Sequence, residues 1–137
     1  MKVLKEDGIA IKLAKLATGS EEIAKKAIYK GAGILANKIG SNLDKVLSGD
    51  STGEMQASLG ITPIKKDRNG VWNAKVGFDG YDSRGVPNAI KARVLESGSS
   101  QQKKRPFVRP AINSTKNEII SAMNKVVDDE INKITKG

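Results

Sequence analysis

The sequence predicts an α+β domain in which a long N-terminal helix and a C-terminal helix pack on a small antiparallel β-sheet. Three observations carry that reading. Aliphatic residues recur every three to four positions from Ile23 to Leu47, and again from Ala111 to Ile134, as in helices with one buried stripe. Between these stretches the period falls to two around the pair Asn69-Gly70, a strong hairpin signal. The core must be aliphatic, because the 137 residues include only one Trp, two Tyr and two Phe. A chain of this length builds one domain with a real core, so residues 1–137 are read as a single unit.

The elements follow in order. Ile9, Leu13, Leu16 and Ala17 predict a short amphipathic helix over residues 8–18, making residues 1–19 a short helical N-terminal segment that stops near Thr18-Gly19. Ser20 opens the long helix: its hydroxyl can cap free amides, and Glu21 and Glu22 sit where the helix dipole favours anions. Ile23, Ala27, Ile28, Ile34, Leu35, Ile39, Leu43, Val46 and Leu47 carry it to about Ser48, roughly 40 Å at ~1.5 Å per residue. Gly31, Gly33 and Gly40 each cost up to about 1 kcal/mol against alanine inside a helix, which predicts close backbone packing or a bend. A phosphate-binding loop at residues 31–33 is disfavoured, since no strand precedes it and no Gly-Lys-Ser/Thr follows.

Residues 48–54 read as a loop, and Met55 to Ile64 and Val71 to Phe78 as strands joined by the Lys-Lys-Asp-Arg-Asn-Gly turn. In the second strand, Trp72, Ala74, Val76 and Phe78 form the apolar face. Residues 79–88 are a turn-rich loop, long enough to move or to make contacts, with Asp82 and Arg84 as candidate contact residues. Residues 89–96 fit a short helix or a strand. Residues 97–105 read as a flexible basic loop ending in Lys103, Lys104 and Arg105. Pro106 and Pro110 then fix their own φ and bias their predecessors towards extended backbone, and Pro110 fits the first turn of the last helix. Phe107, between them, is the expected anchor of that helix against the sheet.

Composition narrows the chemistry. The chain has no cysteine, hence no disulfide or thiolate ligand and no need of an oxidising compartment, and no histidine, which removes the commonest general base near neutral pH. Charged residues interrupt the N-terminal stretch, leaving no apolar run long enough for a signal peptide or a membrane span, so a soluble intracellular protein is expected. Asp128, Asp129 and Glu130 are consecutive on a helix and fan round it as a solvated face. Asp79 and Asp82 lack the twelve-residue calcium pattern, and Ser97, Ser99 and Ser100 lack any nucleophile motif. No enzyme, cofactor or metal is therefore expected. The formal charge of +9 draws polyanions, and Lys65, Lys66, Arg68, Lys103, Lys104, Arg105 and Arg109 could meet phosphates, although no nucleic-acid motif is present.

The segment Leu95-Glu96-Ser97-Gly98-Ser99, followed by a polar loop and then Pro106-Phe107-Val108-Arg109-Pro110-Ala111, resembles the tail-completion, or head-to-tail joining, neck proteins of long-tailed bacteriophages, the family that includes lambda minor tail protein Z. That family carries a Glu-aromatic-Gly-Thr step and then Pro-Phe-x-x-Pro-Ala before its last helix; Ser97 and Ser99 replace the aromatic and the threonine here. Thr52-Gly53-Glu54-Met55 through Ser58-Leu59 is similar to the family's Thr-Gly-x-Leu-x-x-Ser-Ile step. The resemblance implies a non-catalytic virion protein that forms a homo-oligomeric ring, hexameric in the assembled particle and monomeric in isolation. It would lie at the neck between the tail tube protein and the head connector or stopper protein, and in the host cytoplasm during assembly. Thr52, Gly53, Ser58, Pro106, Phe107, Pro110 and Ala111 would be structural motif positions. Glu96, Gly98, Lys103, Lys104, Arg105 and Arg109, with Asp82 and Arg84, would serve partner binding or assembly, with non-specific DNA contact as a further role for the basic residues. The alternative is a small basic DNA-binding accessory protein.

Overall fold

A computed structural model describes residues 2–3, 9–13, 21–47, 53–101 and 103–136. The elements run β1 (Lys2–Val3), β2 (Ile9–Leu13), α1 (Glu21–Val46), α2 (Glu54–Ala57), β3 (Leu59–Ile61), β4 (Lys65–Lys66), β5 (Trp72–Phe78), α3 (Asn88–Ser97) and α4 (Val108–Lys136). This is the expected α+β fold, with two long helices and a small sheet.

Strand β5 is the spine of the sheet. It pairs antiparallel with β2 along one side and with β3 and β4 along the other, while β1 lies parallel to β3 at the far edge. Its Ala74, Val76 and Phe78 are buried, as the period-two pattern requires, and Trp72 at the open end is partly buried.

Two expectations need correction. The predicted helix over residues 8–18 is a strand where it is described, at Ile9–Leu13. Ile9, Ile11 and Leu13 also alternate with Ala10 and Lys12, and their register sets them opposite Val76, Ala74 and Trp72, the core-facing positions of β5. The period-two pattern and the ladder to β5 outweigh the helical spacing to Leu16 and Ala17, which lie outside the described residues, as do Ser20 and Thr52. Met55 to Ile64 is likewise no continuous strand. Glu54–Ala57 forms one helical turn before β3, which lets Met55 enter the core and the Ser58 hydroxyl donate to the Met55 carbonyl (2.7 Å).

Helix α1 lies against both the sheet and α4. A Cβ on Gly31 would sit 2.7 Å from Met123 Sδ and 3.2 Å from Ile119 Cγ2 of α4, so the helices meet there because residue 31 has no side chain. A Cβ on Gly40 would approach Leu59 of β3 to 3.3 Å, whereas one on Gly33 would meet nothing within 4 Å. Lys26 of α1 adds an ion pair to Glu130 of α4 (3.2 Å), which turns Glu130 towards α1 while Asp128 and Asp129 stay exposed. Residues 89–96 are helical within α3, whose Ala92 and Leu95 are buried.

Two loops share one construction. In Asp67-Arg68-Asn69-Gly70-Val71, Asp67 Oδ1 accepts from the amides of Asn69 (2.8 Å) and Val71 (2.9 Å), and Gly70 adopts φ 78°. In Asp82-Ser83-Arg84-Gly85-Val86, Asp82 Oδ1 accepts from the amides of Arg84 and Val86 (2.9 Å each), and Gly85 adopts φ 81°. In both, the glycine amide donates back to the aspartate carbonyl, a tight turn closed by a left-handed glycine that any side chain would strain.

Candidate functional site

The residues of interest gather where α2, the 79–87 loop, α3 and the start of α4 meet. Gly53, at φ 83°, begins α2, and the Glu54 carboxylate accepts the Ser83 amide (3.1 Å), tying α2 to the loop. Asp82 is buried, with only 2% of its side chain exposed, and its Oδ2 pairs with Lys91 Nζ of α3 (3.0 Å). The Val86 amide, Lys91 and the Arg84 amide outweigh burial and hold the Asp82 carboxyl down at about 2. Asp82 is therefore committed internally, a turn residue and not a surface contact. Arg84 projects from the turn and is exposed. Asp79, the other carboxylate of the loop, accepts the Gly80 amide (2.9 Å).

At the far end of α3 stands Glu96. Gly98, at φ 79°, ends the helix and donates to the Val94 carbonyl (2.7 Å); the chain then returns so that the Arg105 amide donates to Leu95 (2.7 Å). This return brings Glu96 beneath the start of α4. Its Oε1 accepts the amides of Phe107 and Val108 (2.7 Å each), and its Oε2 accepts that of Arg109 (3.0 Å). A helix start leaves its first amides without partners inside the helix. Here Glu96 takes the first three, and the next residue, Pro110, has no amide hydrogen to satisfy. Burial raises the Glu96 carboxyl, but the three amides and the Arg109 charge prevail and hold it below the ordinary carboxylate value.

Phe107 is fully buried, as expected of the anchor, and meets Phe78 of β5 edge to face with centroids 5.8 Å apart. Its carbonyl also accepts from the Asn42 side-chain amide of α1 (3.2 Å). Ala111 behind it is buried, and Pro106 and Pro110 are exposed. Arg105, expected in a basic partner-binding loop, instead donates through Nη1 to the Val46 carbonyl at the C-terminus of α1 (2.7 Å). Lys103, Lys104 and Arg109 are exposed and pair with no carboxylate side chain at ion-pair distance among the described residues.

Three large apolar residues sit exposed on the same region: Tyr81 (72%), Val86 (37%) and Ile90 (48%). A Tyr81–Pro87 bridge and the Asn88 amide, which donates to the Gly80 carbonyl (2.9 Å), close the loop that carries Tyr81 and Val86, and Ile90 lies on α3 just beyond it. Beside the junction opens an apolar groove of about 280 Å³ whose one carboxylate, Glu96, is already taken by amides. Among the described residues no helix is long and apolar enough to cross a membrane.

The structure thus joins Glu54, Asp82, Lys91, Glu96 and Phe107 through α3 and leaves Lys103 and Lys104 outside that network. The apolar patch was missed in the sequence because Tyr81, Val86 and Ile90 follow neither a helical nor a strand period. Compared with protein-family models, with curated proteins and with solved structures, the chain matches none.

Proposed function

We propose that this is a structural protein of a phage or prophage particle that completes the tail and joins it to the head, acting as a ring at the neck and not as an enzyme. The observation that carries the proposal is the coupling of its two most informative motifs. Glu96, from the Leu95-to-Ser99 step, caps the helix opened by Pro106 to Ala111, so two of the segments on which the resemblance rests form one physical unit. The exposed Tyr81, Val86 and Ile90 lend support, since large apolar side chains exposed to water favour coverage by a partner subunit. Particles assembled without the protein should appear by electron microscopy as filled heads and separate tails. Joined, infectious virions in its absence would overturn the proposal.

A further inference from the structure

The sheet has a second face, turned away from the helices. Strand register defines it. Ala74, Val76 and Phe78 face the core, so the alternate positions Asn73, Lys75 and Gly77 lie on the opposite side. Residues paired across strands share a face, which adds Lys65 (opposite Asn73), Gly60 (opposite Gly77), Lys12 (opposite Asn73), Ala10 (opposite Lys75) and Lys2 (opposite Gly60). The helix contacts lie on the other side: Gly40 of α1 approaches Leu59, and Phe107 meets Phe78.

This face therefore carries Lys65 and Lys75 beside Gly60 and Gly77, with Lys2 and Lys12 at register positions of the flanking strands, and no carboxylate occupies any of its register positions. Lys12, Asn73 and Lys65 form one row across three strands, about 10 Å from end to end at the spacing of paired strands. Five lysines on the helices are offset instead: Lys25 pairs with Glu21, Lys26 and Lys133 with Glu130, Lys125 with Asp129, and Lys91 with Asp82. The carboxylates nearest along the strands, Asp67 and Asp79, are engaged by neighbouring amides.

We infer that this lysine-bearing sheet face binds the phosphate backbone of nucleic acid, without regard to sequence. A protein partner would need buried aromatic or aliphatic anchors, and apart from Val71 at the turn and the small Ala10 the face offers lysines, glycines and small polar residues. Phosphates need only cations on an accessible surface, and the lack of an aromatic on this face removes the stacking that sequence-tolerant single-strand binders use. The surface is distinct from Lys103, Lys104 and Arg109, which lie on the α3–α4 side, and the inference holds whether or not the protein joins heads to tails.

The test is titration of a random-sequence DNA duplex against the full chain at rising salt. Wild type should bind at about 50 mM salt, and Lys65→Gln/Lys75→Gln should reduce the slope of log affinity against log salt by about 2. Lys103→Gln/Lys104→Gln should leave that slope unchanged. Lysine acetylation of the wild-type protein, with and without duplex, gives an independent reading in which Lys65 and Lys75 should be protected. Absence of duplex binding, or loss and protection confined to Lys103 and Lys104, would overturn the inference.

Discussion

The Glu96 carboxylate accepts the Phe107 amide at 2.7 Å, across eleven residues of chain and between two helices. A helix is normally capped by the residue at its own start, whereas α4 is capped by the end of α3. Glu96→Ala leaves the amides of Phe107, Val108 and Arg109 without this acceptor and should destabilise the domain by about 2–3 kcal/mol in urea unfolding. Glu96→Gln, which keeps one acceptor oxygen, should lose about half as much. If Glu96→Ala unfolds like the parent, the cap has no energetic role.

Phe107 holds the same junction from the apolar side. With its ring fully buried against Phe78, truncation to alanine should cost ~3–5 kcal/mol, and Phe107→Leu distinctly less. Equilibrium denaturation measures both. An unchanged midpoint for Phe107→Ala, together with failed head-to-tail joining, would make the residue an assembly anchor instead.

Much of this was legible in the sequence, for physical reasons. The stripes of α1 and α4 are long, and a helical period sustained over many turns has few competing explanations. Trp72 to Phe78 alternates cleanly, and its burial follows. The N-terminal stretch misled because Ile9 and Leu13 satisfy the helical period while Ile9, Ile11 and Leu13 satisfy the strand period; only the ladder to β5, formed by residues sixty positions later, decides between them. The role of Glu96 was hidden for a similar reason. A carboxylate within three residues of a helix start announces a cap, and one eleven residues earlier does not. The paired turns were visible in part: Asn69-Gly70 signalled the first, and the matching Asp-x-x-Gly-Val spacing at Asp82 was available as a signal for the second.

The glycines of α1 should separate by position. Gly33→Ala gains helix propensity with open space around the new methyl and should stabilise the fold by roughly 0.5–1 kcal/mol. Gly31→Leu must displace Met123 and Ile119 at the contact with α4 and should destabilise it by about 1–3 kcal/mol or more. Thermal unfolding of the two variants beside the parent reads the contrast directly. Equal shifts in the same direction would mean that α1 and α4 do not meet closely at Gly31.

Acid should unfold the domain partly through Asp82. Its carboxyl is held at about 2 in the folded protein, against 3.8 for a free aspartate, chiefly by the Val86 amide and then by Lys91. A depressed folded value means that, below about pH 4, the unfolded chain takes up the proton first. The stabilisation is therefore complete above that pH, declines as pH falls towards 2, and is gone below it. Glu96 and Glu130, also held below their ordinary value, act in the same direction. Asp82→Asn removes the titrating group but keeps an oxygen that can accept the Arg84 and Val86 amides. It should lower stability at pH 7 and flatten the decline between pH 4 and 2, as read by urea midpoints at a series of pH values. A variant with the parent's full acid slope would show that Asp82 does not carry this share of the pH dependence.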